Sequence, residues 1–290
     1  MSKLRIQLEV TTRCNHKCSY CPRRILVPET RSLGDITPEM SDLLVSRISE
    51  IDKSHDLMVS ISGLGEPTLY HNLMEIIRKI KSARNPVIRL NTNASFLHKV
   101  GSDIISSNCV DRIAVCPNLP TKELYEKHTG STDFTTVYRN IAEFLKEKGT
   151  RKPVTEIYVI KMPESMPHLE ENAEHWKNHL NRNDMVSTAE LSNWIGLVGE
   201  PQVPRTTLCR FQKDLLGKRL TINKEGYAGV CGFSIAVNKT HPLIVGNIKE
   251  HSIEELFKLA GVRATQLIGS RVCEKCNTDV VRKKPTRLLK

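Results

Sequence analysis

The chain has 290 residues, of which 39% are hydrophobic and 26% are charged, and its formal net charge is +11. This is the composition of an ordinary globular protein with one or two domains. No apolar run approaches the roughly 20 residues that span a membrane, and the N-terminus lacks a signal-peptide pattern, so we expect a cytoplasmic protein with no membrane partner. The basic residues are spread along the chain, which argues against a nucleic-acid partner.

Six short segments have the composition of β-strands, and segments with helical periodicity separate most of them. The strand segments are 4–10, 57–62, 87–91, 110–115, 155–160 and 185–191. Thr37 and Asn72 precede two of the intervening helices as N-caps. Such a βα series predicts an α/β fold with a parallel sheet and helices outside it. Because a full barrel needs eight strands, six predict a partial (β/α)6 TIM-like barrel that is open on one side.

The βα pattern stops near Pro201 and Pro204, which mark a predicted linker. Beyond it, segments 219–223 and 228–231 predict a β-hairpin, and Ser252 with Glu255 forms a capping box that begins a helix. We therefore expect three parts. These are a barrel at 1–199, a small hairpin and helix domain at 200–280, and a basic tail at 281–290.

Cys14, Cys18 and Cys21 form a C-x3-C-x2-C group directly after the first predicted strand. In a reducing cytosol, clustered cysteines indicate a metal or redox site rather than disulfides. Three thiolates can bind three irons of a 4Fe–4S cluster, which leaves the fourth iron open to another ligand. A zinc site with His16 as the fourth ligand is the alternative.

A second group of cysteines follows the predicted linker. It consists of Cys209, Cys231, Cys273 and Cys276, of which the last two form a C-x2-C pair. Four thiolates can hold a second 4Fe–4S cluster with no open position, or a tetrahedral zinc ion. The two remaining cysteines, Cys109 and Cys116, flank the fourth predicted strand, where core packing is enough to explain a free cysteine.

The first cysteine group, with the aromatic Tyr20 before its last member, resembles the signature of the radical S-adenosylmethionine (SAM) superfamily. The resemblance implies that SAM binds the open iron and is reductively cleaved to a 5′-deoxyadenosyl radical, which abstracts a hydrogen atom from the substrate. It implies a flavodoxin- or ferredoxin-type electron donor as a partner. It also implies that Tyr20 lies near the adenine of SAM.

Two further segments resemble the SAM-binding pattern of that superfamily. The run Gly63-Leu64-Gly65-Glu66-Pro67 resembles its Gly-Gly-Glu-Pro motif, which contacts the SAM amino group. Glycine permits close backbone approach, and Glu66 can accept a hydrogen bond from an ammonium group. The run Asn91-Thr92-Asn93 resembles a Thr-Asn-Gly run near SAM, with Ala94 in place of the glycine. Ordinary turn chemistry is the alternative for Asn91 and Asn93.

The C-terminal third resembles the auxiliary-cluster domain called SPASM. The full form carries seven cysteines and two clusters, whereas four cysteines here resemble the shortened "twitch" form with one auxiliary 4Fe–4S cluster. The run Asn193-Trp194-Ile195-Gly196 resembles an Asn-Trp-x-Gly run of members with this domain. The whole architecture is similar to that of 2-deoxy-scyllo-inosamine dehydrogenases, which oxidise an aminocyclitol.

These resemblances imply a radical SAM oxidoreductase that oxidises a small polar metabolite, an aminocyclitol or a sugar, with an auxiliary cluster near the substrate. The alternative is a maturase that cross-links, oxidises or epimerises a ribosomally made peptide, and the positive charge would suit an acidic leader peptide. If the reaction is an epimerisation, Cys116 is the candidate that returns a hydrogen atom to the substrate, because it ends its strand on the side that faces SAM. A zinc-bearing binding module is the non-enzymatic alternative.

Overall fold

A single sheet organises the structure, a computed structural model that describes residues 2–29, 31–198, 217–267, 270–274, 276 and 286–289. Its first six strands are β1 (Lys3–Leu8), β2 (Asp56–Ile61), β3 (Val87–Thr92), β4 (Arg112–Asn118), β5 (Val154–Lys161) and β6 (Met185–Glu190). They pair in parallel and in chain order. All six overlap the predicted strand segments, so the α/β class is confirmed.

The sheet is open rather than closed into a full barrel, because its first and sixth strands each pair with a different outer strand. The four outer strands are β7 (Arg219–Ile222), β8 (Tyr227–Gly229), β9 (Ile244–Asn247) and β10 (Thr286–Leu289). Strand β1 pairs in parallel with β7, from which β8 and β9 continue antiparallel. Strand β6 pairs antiparallel with β10, and β10 lies within the predicted basic tail at 281–290. The predicted open, partial barrel is therefore confirmed.

Most of the helices cover one face of this sheet. The helices of the described residues are α1 (Arg23–Glu29), α2 (Pro38–Ser49), α3 (Leu73–Arg84), α4 (Leu97–Ser107), α5 (Lys122–Thr129), α6 (Phe134–Lys148), α7 (Leu169–Lys177), α8 (Ile253–Gln266) and the four-residue α9 (Arg271–Glu274). Thr37 caps α2 as predicted, and Ser252 with Glu255 forms the predicted capping box of α8. Asn72 occupies the N-cap position of α3 without a side-chain capping bond. Within the described part of the chain, no helix is both long enough and apolar enough to cross a bilayer.

The strands alternate between two faces, and this alternation separates the core from the site. Ile88, Leu90 and Ile157 are fully buried members of the hydrophobic core that the sheet shares with the helices. The residues between them, such as Arg89 and Glu156, point to the opposite, inner face because successive side chains of a strand alternate. The inner face is therefore polar, and it faces the open side of the half-barrel.

The C-terminal hairpin continues the barrel sheet. Helix α8 packs on β7 and β9, and its Leu256 and Phe257 join the main hydrophobic core. Hairpin strand β7 lies beside β1, so the predicted small domain shares a sheet with the predicted barrel. Its predicted boundaries at 199/200 and 280/281 fall on residues outside the described part, and the division into 1–199, 200–280 and 281–290 stays a prediction.

Candidate functional site

Three cysteines lie in the loop that follows β1, here called the cysteine loop (residues 13–21). The thiols of Cys14, Cys18 and Cys21 are half-buried and within electrostatic reach of one another. Burial raises the pKa of Cys14 to about 12 and that of Cys18 to about 11. Three thiols in such a place ionise only if positive charge joins them, and iron supplies that charge when it binds thiolates. The donor set thus fits an iron–sulfur cluster.

Backbone hydrogen bonds anchor the cysteine loop on the end of α5. The amide of Lys17 donates to the carbonyl of Thr129 at 2.8 Å, and the amide of Ser19 donates to the carbonyl of His128 at 2.7 Å. Tyr20 packs against the main hydrophobic core. Burial, followed by the neighbouring Cys18, raises the pKa of its phenol well above the usual value, so the hydroxyl stays protonated. The loop is held in place by the protein itself.

The glycine-rich run after β2, here called the GLGEP turn (residues 63–67), packs directly on the cysteine loop. A Cβ at Gly65 would lie 2.3 Å from the carbonyl oxygen of Thr11, and one at Gly63 would lie 2.7 Å from Cγ of Glu9. The amide of Glu66 donates to the carbonyl of Arg13 at 2.7 Å. At Gly65, glycine therefore permits the close backbone approach that the sequence analysis expected of this run, and the partner is the backbone of residues 11 and 13.

The carboxylate of Glu66 joins the GLGEP turn to the end of β3. It accepts hydrogen bonds from the hydroxyl of Thr92 at 2.7 Å and from the amide of Asn93 at 2.7 Å. The amide and hydroxyl of Thr68 donate to the same group. Pro67 begins the short 3-10 turn that follows. Glu66 is buried, and its carboxylate already accepts hydrogen bonds from these four donors. Its contact with the SAM ammonium group therefore stays a prediction.

Asn93 and Asn91 have different surroundings. The side-chain amide of Asn93 donates to the side-chain oxygen of Asn15 in the cysteine loop at 2.9 Å. The side chain of Asn91 lies on the inner face and accepts a hydrogen bond from Nε of Arg89 at 3.2 Å. Asn93 thus lies beside the candidate cluster, whereas Asn91 belongs to the polar lining of the barrel.

A partly buried network that the sequence analysis missed connects the cysteine loop to the turn after β3. Its centre is Asp133, whose carboxylate accepts from the hydroxyls of Tyr125 at 2.7 Å, Ser95 at 2.6 Å and Ser131 at 2.5 Å. His16 is 3% exposed, and its Nε2 lies 3.0 Å from the Tyr125 hydroxyl and 3.1 Å from that of Ser95. Since both hydroxyls give their hydrogens to Asp133, Nε2 is the donor in these contacts. His16 is therefore tied to this network rather than free to act as a zinc ligand through Nε2.

A second buried network links β1 to the C-terminal hairpin. Glu9 is fully buried, and Nη2 of Arg31 contacts its Oε2 at 2.5 Å. The same guanidinium donates to Glu225 at 2.8 Å and to the carbonyl of Ile235 at 2.5 Å. Oε1 of Glu9 accepts from the amide of Leu64 at 3.1 Å. The ion pair therefore fixes the GLGEP turn and the hairpin relative to β1.

Three cysteines of the second group lie in the described residues near that hairpin, and two of them, Cys231 and Cys276, are within electrostatic reach of each other. Cys231 and Cys273 border the same small apolar cluster, which contains Val237, Leu243 and Leu267. Burial raises the pKa of Cys231, and nearby Cys276 adds to the effect. Cys209 lies outside the described residues. The described residues bring two thiols of this group together but no set of three metal ligands, so the auxiliary cluster stays a prediction. Ile195 of the predicted Asn-Trp-x-Gly run lies against the same apolar cluster.

Cys116 lies on the inner face of β4. Burial raises the pKa of its thiol to about 12, and Glu66 and Glu156 add to the rise while Arg89 opposes it. The thiol is therefore protonated at neutral pH and carries the S–H that a hydrogen donor needs. Tyr20 lies within electrostatic reach as well, so Cys116 lies at the end of the inner face that is next to the cysteine loop.

Comparison with known proteins gives one family. The sequence model of the Radical SAM superfamily matches residues 8–175. The tungsten-containing aldehyde ferredoxin oxidoreductase cofactor-modifying protein of Pyrococcus furiosus is 26% identical over 182 residues, which are 60% of this chain and 48% of that protein. A probable GTP 3′,8-cyclase of Thermococcus kodakarensis is 30% identical over 146 residues, which are 49% of this chain and 43% of that protein. The chain thus spans about half the length of these curated relatives.

Solved structures share the fold over nearly the whole chain. BtrN in complex with AdoMet and 2-DOIA has a TM-score of 0.61 at 19% identity, and the match covers 100% of this chain and 99% of the BtrN chain. Native anSMEcpe with bound AdoMet and Cp18Cys peptide has a TM-score of 0.67 at 17% identity, and the match covers 98% of this chain and 92% of the anSMEcpe chain. Streptococcus suis SuiB bound to precursor peptide SuiA has a TM-score of 0.65 at 14% identity and covers 98% and 74%.

Proposed function

The chain belongs to the radical SAM superfamily, and we propose that it is an oxidoreductase that acts on a small polar metabolite, an aminocyclitol or a sugar. The observation that carries the radical SAM chemistry of the proposal is the proximity of three half-buried thiols beside the GLGEP turn. When bound, a 4Fe–4S cluster and SAM supply a 5′-deoxyadenosyl radical, which abstracts a hydrogen atom from a substrate.

Cys14, Cys18 and Cys21 bind three irons and leave the fourth for SAM. The GLGEP turn and Asn93 line the place for SAM, since both contact the cysteine loop directly. In this assignment Gly63, Gly65 and Pro67 shape the backbone, whereas Glu66 holds the turn after β3 and accepts from the SAM ammonium group. Tyr20 lies beside Cys18 and contacts the adenine of SAM. A flavodoxin- or ferredoxin-type protein delivers the electron.

Cys209, Cys231, Cys273 and Cys276 bind an auxiliary 4Fe–4S cluster. The proximity of Cys231 to Cys276 and the shared apolar border of Cys231 and Cys273 support this assignment. Four thiolates leave no open iron, so this part of the chain holds an electron acceptor rather than a second SAM. The residues that surround it form the auxiliary-cluster domain at 200–280, next to the barrel at 1–199.

A peptide maturase is the second candidate. The structures of SuiB bound to precursor peptide SuiA and of anSMEcpe with Cp18Cys peptide support it, as does the net charge of +11. Cys116 would be a catalytic residue only if this reaction is an epimerisation, in which a protonated thiol returns a hydrogen atom. The equal-length match to the BtrN complex with 2-DOIA and the polar inner face favour the small metabolite.

Anaerobic reconstitution tests the proposal. We expect about eight irons per chain in the wild type and about four after Cys14, Cys18 and Cys21 are changed together to Ala. That triple variant should form no 5′-deoxyadenosine with dithionite and SAM. A Cys231→Ala/Cys276→Ala variant should also lose about four irons but keep the electron paramagnetic resonance (EPR) signal of the SAM-binding cluster.

Cys109→Ala is the matched control, because Cys109 packs at the edge of the hydrophobic core and its thiol contacts the Ser107 carbonyl. It should keep the iron content and the SAM cleavage of the wild type. Zinc in place of iron in the wild type would contradict the proposal. So would SAM cleavage by the triple variant.

A further inference from the structure

An ion pair crosses the inner face of the sheet. Nη2 of Arg89 on β3 contacts Oε2 of Glu156 on β5 at 3.1 Å, although β4 lies between the two strands. The β4 residue in register is Ala114, which pairs with Asn91 on one side and with Glu156 on the other. Because Ala114 contributes only a methyl group, the two long side chains meet above it.

The side chains of the Arg89–Glu156 pair are partly exposed to solvent, whereas those of the hydrophobic core are not. The side chains of Arg89 and Glu156 are 25% and 19% exposed, whereas the neighbouring outward-facing residues Leu90, Ile157 and Val159 are fully buried. The ladder hydrogen bonds and the helix-facing core already hold these strands together. The polar pair is therefore accessible from the open side of the half-barrel and is free to contact a ligand.

Further polar groups extend the pair into a continuous patch. The hydroxyl of Ser187 on β6 donates to Oε1 of Glu156 at 2.8 Å. Asn91 accepts from Nε of Arg89, and the guanidinium lies over the ring of Tyr158, 5.6 Å from its centroid. We call these five residues the β3–β6 polar patch: Arg89, Asn91, Glu156, Tyr158 and Ser187. A carboxylate and a guanidinium each keep capacity for more hydrogen bonds in such a patch.

The patch lies next to the place assigned to SAM. Cys116 is the inner-face residue that follows Ala114 along β4, and it is within electrostatic reach of Arg89 and Glu156. Cys116 is also within reach of Glu66 and Tyr20, which belong to the SAM side. A molecule held by the patch would therefore present its other face toward the cysteine loop.

We propose that Arg89 and Glu156 are the substrate-binding pair of this enzyme and that they bind adjacent hydroxyl groups of a compact polyol, a sugar or a cyclitol. This rests on the proposed function. Glu156 accepts a hydrogen bond from one hydroxyl, and the Arg89 guanidinium donates to the oxygen of the next. The pair has no net charge, so it suits a neutral polyhydroxylated molecule better than an acidic peptide. Ser187 and Tyr158 hold the two charged groups in position.

Saturation-transfer difference NMR on anaerobic, reconstituted, SAM-loaded enzyme without reductant tests the pair. The probes are myo-inositol and glucose, both neutral, and a poly-glutamate peptide is the competitor. We expect the wild type to bind at least one polyol and the peptide not to displace it. Arg89→Gln and Glu156→Gln should each weaken the binding by about tenfold or more, since each removes a hydrogen bond to a charged group.

The control is Arg78→Gln, because Arg78 forms an exposed pair with Asp103 on the outer surface and lies far from the inner face in the fold. It should bind the polyols like the wild type. Iron content and the EPR change on SAM addition report that each variant is folded and loaded. Equal polyol binding by wild type and both patch variants would overturn the inference, and so would displacement of the polyol by the peptide. Absence of a cluster or of SAM cleavage in the wild type would instead refute the proposed function.

Discussion

Replacing Asp133 should show whether its network only stabilises the fold or also positions the cysteine loop. It holds Tyr125, Ser95 and Ser131 and, through two of these hydroxyls, His16 of the cysteine loop. Burial alone would raise the pKa of Asp133, but the hydrogen bonds outweigh it and hold the pKa well below its usual range. The group is thus a carboxylate at any pH at which the enzyme is assayed. We predict that Asp133→Asn weakens both the fold and the response to SAM.

The size of the effect follows from the hydrogen bonds. Oδ1 of Asp133 accepts from Tyr125 and Ser131, and Oδ2 accepts from Ser95. An amide that replaces Oδ2 loses the Ser95 bond and turns the others into neutral ones. Hydrogen bonds to charged groups contribute about 1.5–3 kcal/mol and neutral ones about 0.5–1.5 kcal/mol. Asp133 keeps 26% side-chain exposure, so we expect a loss near the lower end, about 2–3 kcal/mol.

Two measurements on anaerobic holoenzyme test this prediction. The thermal midpoint should fall by roughly 4–12 °C, given about 2–4 °C per kcal/mol for a chain of this size. The SAM concentration for the half-maximal EPR change should rise about fivefold if about 1 kcal/mol of the loss reaches the SAM site. Asp103→Asn, which removes an exposed partner of Arg78, should change neither. Lower stability with an unchanged SAM response would refute the positioning role, and no change in either would refute the network.

Three other changes should have distinct outcomes. Gly65→Ala should lower the iron content after reconstitution, because its Cβ would lie 2.3 Å from the Thr11 carbonyl; wild-type iron content would contradict this. Arg31→Met should lower the free energy of unfolding in urea by about 3–5 kcal/mol, since it leaves Glu9 buried and unpaired, and an unchanged midpoint would refute the ion-pair argument. Alkylation of Cys116 by iodoacetamide, followed by peptide mass spectrometry, should rise about tenfold per pH unit between pH 7 and 9.5, because its pKa is about 12; a plateau below pH 9 would contradict that.

Local patterns predicted the elements whose signals are local. The strand predicted at 57–62 is observed as Asp56–Ile61, and the capping box of Ser252 and Glu255 begins α8. Helix α4 was not predicted because Phe96 precedes it without a side-chain cap. Helix α5 has a Thr121 cap but only eight residues, too few for a clear period. The pairing of β7 with β1 joins residues more than 200 positions apart, and no local pattern encodes it.

The candidate site also combines features with local sequence signals and features that depend on long-range contacts. The cysteine loop and the GLGEP turn are contiguous motifs, so the sequence predicted both. Asp133 stands directly before α6, where an aspartate reads as an ordinary N-cap, yet its side chain makes no capping bond there. It contacts His16 instead, 117 positions earlier in the chain (133 − 16 = 117). Such a contact depends on how the barrel brings α5 and α6 against the loop after β1.

Besides the direct hydrogen bond from Asn93 to Asn15, two indirect tethers connect the cysteine loop to the end of β3. In one, the Glu66 amide binds the Arg13 carbonyl while its carboxylate holds Thr92 and Asn93. In the other, His16 reaches Ser95 through hydrogen bonds that Asp133 organises. Both use only groups of the chain, so the relative position of these segments is set before any ligand binds. A preorganised site loses less conformational entropy on binding, and its reacting atoms stay in register. Since the cysteine loop is held in one position, we expect substrate choice to depend on residues of the polar inner face, such as the proposed pair Arg89 and Glu156, rather than on the cysteine loop.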